Sequence, residues 1–239
     1  MSRESLREKR ARARWLFDRL EEAYPGATIE LSYEGDLQLL VAVILSAQCT
    51  DKRVNLVTPA LFGRYPTVEA FARAEPADLE PYIRSCGLFR SKARSIIAAC
   101  RALAADHGGR VPQSRAALQT LPGVGAKTAG VVTIHLAGGE PAFPVDTHVG
   151  RLARRLGLSR EPLPEKVERD LRRLLPEERW PLAHQLLVRH GRRRCTARAP
   201  DCAGCPLSGR CPKRGVEPAK ARRASRGDPR RAAREEGGG

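Results

Sequence analysis

LPGVGAKTAG, residues 121–130, followed nineteen residues beyond its lysine by the aspartate of VDTH (145–148), decides how this 239-residue chain is read. Gly123 and Gly125 flank a single valine, Val124, between two helix-like stretches that together run from about 113 to 137. Glycine tolerates positive φ and lets a phosphate approach the main chain closely, so a tight hairpin from Leu121 to Gly125 can aim backbone N–H groups at a polyanion. Lys127 then falls in the first turn of the second helix. The positive end of that helix disfavours an ammonium, and partial burial would depress the lysine pKa further. A neutral amine beside a nucleic-acid backbone is a nucleophile for a sugar carbon. A surface lysine touching a phosphate after an ordinary αα-turn is the plainer alternative, and the hairpin alone leaves both open.

A second constellation lies near the C-terminus, where Cys195, Cys202, Cys205 and Cys211 form a C-x6-C-x2-C-x5-C array. Four thiolates are the usual shell for zinc or for a [4Fe–4S] cluster. Structural zinc sites pair two short knuckles about 12 to 20 residues apart. Here the ligands follow one another in a single tight loop, which suits a cubane better. Arg192, Arg193 and Arg194 precede the loop and Arg198 lies within it, so it can also contact phosphate. Cys49, Cys86 and Cys100 are scattered through apolar surroundings and read as buried thiols.

Composition narrows the partner. A net charge of +16 points to a polyanion, although ribosomal and membrane-surface proteins share such a balance. Hydrophobic content of 41% excludes wholesale disorder. No apolar run approaches the roughly 20 residues that cross a bilayer. The N-terminus lacks an apolar signal core, and Glu4 and Glu8 argue against a transit peptide. The expectation is a cytosolic chain in contact with DNA, with no membrane partner.

The pattern is helical nearly throughout, so the fold class is all-α. Leu6, Ala13, Leu16, Phe17, Leu20 and Tyr24 trace one face of an N-terminal helix. Leu37 to Ala47 is apolar all round and reads as a central buried helix. Ile96, Cys100, Leu103 and His107 repeat at helical spacing, and Val167, Leu171, Leu174 and Leu175 mark a helix opened by Pro164 and closed at Pro176. Val131 to Ile134 is strand-like by propensity, but its place after the hairpin favours helix. His107, His135, His184 and His190 lie in helical stretches with no role assigned, and His148 reads as a structural residue of its turn. From 213 onward nine Lys/Arg stand against four Asp/Glu with Val216 the one large apolar residue, a disordered basic tail.

LPGVGAKTAG, VDTH and the cysteine loop together resemble the endonuclease III family of base-excision repair glycosylases, over most of the chain from about Glu30 to Cys211. The resemblance implies a helix-hairpin-helix DNA glycosylase fold with two helical domains and a cleft between them. One domain would span 29–139; the other would combine 1–28 with 140–213, leaving 214–239 as the tail. It implies Lys127 as nucleophile, Asp146 as its assistant, and a [4Fe–4S] cluster on the four cysteines. Ser46-Ala47-Gln48-Cys49-Thr50-Asp51 resembles the family loop whose glutamine fills the gap left by an extruded base, and Leu88 in CGLFRSKA matches a second, apolar wedge. Leu88 in plain core packing is the alternative, as helix capping is for Asp146. Leu121, Gly123, Val124 and Gly125 of the hairpin, with Arg193 and Arg194, would contact DNA.

A glycosylase acts on a base taken out of the stack. Lys127 attacking C1′ would expel the base and leave a protonated Schiff base, and β-elimination would then cut the strand on the 3′ side. Adenine-mismatch relatives lack a lysine here. The resemblance thus implies a bifunctional glycosylase and abasic-site lyase, acting as a monomer on oxidised pyrimidines in duplex DNA, cytoplasmic and associated with a bacterial nucleoid. The rivals are a monofunctional mismatch glycosylase and a non-catalytic DNA-binding module. Two positions depart from the family pattern: Ala126 where many members have arginine, and Gly130 where asparagine is common. The first removes one possible DNA contact or modulator of the lysine and bears on rate and substrate preference more than on reaction type.

Overall fold

The computed structural model describes residues 4–216, and among these the chain forms eleven α-helices and no strand. Helix α1 (Leu6–Ala23) opens with a reciprocal cap. The Ser5 hydroxyl accepts the Glu8 N–H at 3.2 Å, and the Glu8 carboxylate accepts the Ser5 N–H at 2.8 Å. Ala13, Leu16, Phe17 and Leu20 bury one face. Leu6, which shares their periodicity, is 53% exposed because it precedes the surface the helix packs on.

A first core forms around α2 (Gly35–Ser46), whose Leu39–Leu45 run is buried on every side. Full burial of one such leucine is worth about 1.5–3 kcal/mol, so this helix anchors the half of the molecule that surrounds it. Around it stand α3 (Asp51–Arg64), α4 (Val68–Arg73), α5 (Pro76–Ile83), α6 (Phe89–Asp106), α7 (Arg115–Gln119) and α8 (Ala126–Thr133). Val131, Val132 and Thr133 complete α8 despite their β-branching. Ala129 and Val132 give that helix a face to bury against the core, and packing outweighs local propensity.

Beyond α8 the chain turns at Gly138 (φ +78°) and Gly139. A Cβ at Gly139 would lie 2.1 Å from the Thr133 carbonyl oxygen, so only glycine lets the chain double back over the helix end. A second core follows, built from α9 (Thr147–Arg155), α10 (Pro164–Arg172) and α11 (Trp180–Arg193), with α1 packed on α11. Helix α10 stops at Arg172, short of Pro176, because Leu174 N–H closes onto Leu171 O in a tighter turn. That turn carries Leu174 and Leu175 into the core.

Two ion-pair clasps join the cores. The Arg115 guanidinium (α7) lies 3.0 Å from both oxygens of the buried Glu168 (α10). Arg192 (α11) lies 2.8 Å from Glu30 and 2.6 Å from Asp51 at the start of α3. Residues 214–216, which composition alone places in the tail, pack on the second core, with the Arg214 N–H donating to Arg155 O. The remainder of the basic tail lies outside the described residues. No helix among those described is long and apolar enough to cross a membrane.

Candidate active site

A cleft of about 130 Å³ draws its walls from both cores. Lys127 and Thr128 enter from α8, Ser46 and Ala47 from the end of α2, and Asp146 from the start of α9. Helix α11 contributes His184, Val188 and Arg192, four residues apart and therefore on one face. Lys127 and Asp146 thus line the same cleft, one from each core.

Lys127 is the second residue of α8 and is exposed. The partial burial anticipated from its position is absent in the free protein. Gly125 caps α8 without a side-chain acceptor, so the first-turn N–H groups face outward toward whatever anion approaches. Within the hairpin the residues divide. Leu121 and Val124 are buried, and their N–H groups are spent on Leu118 O and Leu121 O at 3.2 and 3.1 Å. They build the turn, while Gly123 and Gly125 are its exposed members. Gly123 has φ +79°, and a Cβ there would meet Ser95 Cβ at 2.5 Å, so glycine serves both the turn and the close approach to α6.

Asp146 is half-buried and caps α9, its Oδ1 accepting the Val149 N–H at 2.7 Å. That bond fixes the carboxylate, and among the described residues nothing else holds Oδ2. Two contacts fix this segment, one to the lysine helix and one to α11. A Cβ on Gly130 would stand 3.2 Å from Pro144 Cγ, so the absence of a side chain lets α8 lie close against the strand of chain leading to Asp146. His184 Nδ1 lies 2.9 Å from the Pro144 carbonyl oxygen on the other side. Burial pushes the His184 pKa down, with nearby Asp146 opposing the shift and Lys127 adding to it. The neutral ring therefore donates its Nδ1–H to that carbonyl. Burial also holds His135 down at about 4, so its Nε2 accepts from the Gln185 amide, 2.7 Å away. His184 and Gln185 carried no role in the sequence reading. The signal that could have marked His184 is its four-residue spacing from Val188 and Arg192, which puts the three on one helix face.

Gln48 and Leu88 sit in two separate turns, and both adopt left-handed backbone, φ +53° and +46°. Such conformations cost a non-glycine residue about 1–3 kcal/mol and persist where the surroundings impose them. Both side chains are exposed, Leu88 by 61%, so core packing does not account for Leu88. Gln48 follows Ser46 and Ala47 of the cleft wall directly.

Cys195, Cys202, Cys205 and Cys211 line one small chamber under the second core, together with Arg155, Leu156 and His190. Arg155 braces the loop by donating to the carbonyls of Cys195, Thr196 and Ala197 at 3.3, 2.7 and 2.8 Å. Burial raises the thiol pKa of Cys205 and Cys211, and the neighbouring Cys195 and Cys202 raise both further. Four thiols lining one chamber form a donor set suited to a cationic core of metal. Among the described residues no group of three or more His, Cys, Asp or Glu side chains is already placed to hold a metal ion. Arg194 stitches the loop to itself, 2.6 Å from both Asp201 and the Gly204 carbonyl oxygen, and Arg193 is 61% exposed. His148 Nδ1 lies 3.0 Å from Arg151 Nη2 in a structural contact. Cys86 and Cys100 are buried as expected, whereas Cys49 is half-buried, since its loop lies at the surface.

Residues 41–177 match the HhH-GPD superfamily of base excision DNA repair proteins. The chain is 48% identical to the endonuclease III of Synechocystis sp. over 204 residues, 85% of this chain and 93% of that protein. An endonuclease III solved in a non-covalent complex with DNA superposes with a TM-score of 0.81 at 41% identity, covering 85% of this chain and 95% of its own. A second endonuclease III structure, a covalent intermediate trapped on DNA, matches at the same TM-score and identity, covering 85% of this chain and 96% of its own. The chain belongs to the endonuclease III family within the HhH-GPD superfamily.

Proposed function

We infer that this chain is a bifunctional DNA glycosylase and abasic-site lyase of base excision repair, and we propose Lys127 as its nucleophile. One observation carries the assignment: Lys127 and Asp146, held on different cores, line one cleft. The relative trapped covalently on DNA supports a mechanism that passes through a protein–DNA bond. The Lys127 amine attacks C1′ of the extruded nucleotide and the base departs. The resulting iminium acidifies the adjacent sugar proton, whose loss cuts the strand 3′ to the lesion. Asp146, aimed by its cap, steadies the cationic sugar through Oδ2. DNA closing over the cleft supplies the dry surroundings that the exposed Lys127 lacks in the free protein.

Gly123 and Gly125, with the uncapped start of α8, receive a phosphate, while Leu121 and Val124 support that surface from below. Gln48 and Leu88 fill the gap left by the extruded base, and their exposure and strained backbone support that role. Arg193 adds a phosphate contact beside the cysteine loop. The two cores correspond to two domains, and the substrate is an oxidised pyrimidine in duplex DNA, bound by one copy of the chain.

The four cysteines are proposed to hold a [4Fe–4S] cluster, which when bound orders the loop that Arg155 braces. Purified protein is expected to carry iron and acid-labile sulfide; stoichiometric zinc without iron overturns this assignment. For the reaction itself, a duplex with one pre-formed abasic site decides. Strand cleavage is expected, and its absence, with base release intact on a second duplex carrying an oxidised pyrimidine, would favour a monofunctional glycosylase.

A further inference from the structure

Lys92 is 5% exposed, on the first turn of α6, and its ammonium donates to two carbonyls, Leu45 O and Cys86 O, each at 2.8 Å. Leu45 is the penultimate residue of α2, so its carbonyl is one of those a helix leaves unbonded at its C-terminal end. Cys86 closes the short 3₁₀ turn of residues 84–86. Three residues past Leu45 comes Gln48; two past Cys86 comes Leu88. Among the described residues Lys213 is the one other non-glycine residue with positive φ. One buried ammonium therefore ties together the two strained turns, far apart in sequence, that present the wedge side chains.

Packing does not ask for a charge at this place. The neighbouring buried residues of α6 are Ala93, Ile96 and Ile97, and a methionine would fill similar volume. Burying an ammonium is costly unless its donors are met, and here two of the three are met by the carbonyls of two different loops. The negative end of α2 adds to the attraction. A hydrocarbon side chain could fill the space but could not hold both loops.

We propose that Lys92 is a positioning residue for base extrusion: it fixes the offset between Gln48 and Leu88 so that both enter the stack as one unit. This rests on the wedge reading of those two residues. The offset matters because a displacement of about 1 Å in a positioning group can cost on the order of a hundredfold in rate.

The test uses the full chain in single-turnover reactions on two duplexes, one with an oxidised pyrimidine and one with a pre-formed abasic site. A 2-aminopurine placed opposite the lesion reports unstacking. Lys92→Met is expected to slow base removal by roughly tenfold or more, slow abasic-site cleavage by less than about threefold, and abolish the fluorescence rise. Lys92→Arg, which keeps two donors, is expected to recover part of the loss. Gln48→Ala and Leu88→Ala run alongside. If neither shows the split between substrates, the wedge reading fails. If both show it and a folded Lys92→Met does not, the role of Lys92 is overturned while the wedges stand. Ile97→Val serves as a packing control, and a split equal to that of Lys92→Met would reduce Lys92 to a structural residue. Should Lys92→Met not fold, Lys92→Gln is judged by the same split.

Discussion

Asp146 has a structural role, its Oδ1 capping α9, beside the chemical role proposed for it, and the role proposed for Lys127 is chemical; substitutions can test each. Lys127→Gln retains much of the side-chain length but cannot form an imine. Borohydride trapping and strand cleavage should both vanish in this variant while duplex binding survives; a trapped adduct would identify another amine as the nucleophile. Asp146 needs a paired comparison because its Oδ1 caps α9. Asparagine caps about as well as aspartate, whereas alanine loses about 1 kcal/mol. Thermal melts should therefore leave Asp146→Asn near wild type and lower Asp146→Ala. A large loss of turnover in both would report the missing charge; full activity in Asp146→Asn would leave the residue a cap alone. The positions of these two residues were legible because each belongs to a short local motif. The exposure of Lys127 was not, since it depends on how two cores meet. Nor was the fate of Arg194, spent on Asp201 and the Gly204 carbonyl rather than standing clear of the loop.

Helices were legible where one face alternates with another, and less so where burial comes from elsewhere. Val131–Thr133 joins α8 because the first core covers it, and Leu6 repeats with the buried face of α1 yet has nothing to pack on. The polar residues that α11 turns to the cleft, His184 and Gln185, carry the clearest consequence at this scale. His135, hydrogen-bonded to Gln185 of that helix, has its pKa held down at about 4 by burial. In the unfolded chain its pKa returns to about 6.5. Between these values the unfolded state binds the proton that the folded state refuses. The stabilising effect is complete above about 6.5 and is lost as pH falls toward 4, by up to about 3 kcal/mol. Fully buried His184 shifts in the same direction and adds to the loss. Melting temperature should fall through this window, and His135→Gln, which cannot take up the proton, should flatten the slope. An unchanged slope would assign the acid sensitivity to other groups.

On the scale of the whole molecule the cleft exists only because the two cores are held in one relation, and no single motif encodes that relation. Arg115 and Glu168 lie 53 residues apart in sequence, in helices whose periodicity gives no hint that they meet. Glu168 is nearly enclosed: besides Arg115 it accepts the Phe143 N–H at 3.3 Å, and Arg172 stands 4.0 Å off. Removing one partner of a buried pair costs about 3–5 kcal/mol; Arg115 is partly exposed, so water recovers some of that and about 2 kcal/mol is expected for Arg115→Ala. For a chain of this size that is a fall of about 4–8 °C in melting temperature. The kinetic consequence is more specific. Lys127 follows the first core and Asp146 the second, so a loosened clasp should lower turnover well below the temperature of unfolding, while phosphate binding by the hairpin, which lies wholly on the first core, persists. Replacing both partners with neutral residues, Arg115→Met with Glu168→Gln, should restore much of the stability, because the orphaned charge is gone and the glutamine carbonyl can still accept the Phe143 N–H. If that double variant regains its melting temperature but not its turnover, the clasp sets the geometry of the cleft. If Arg115→Ala melts and turns over as wild type does, the cores are held by their apolar contact and by the links from α11, Arg192 with Glu30 and Asp51 and Gln185 with His135.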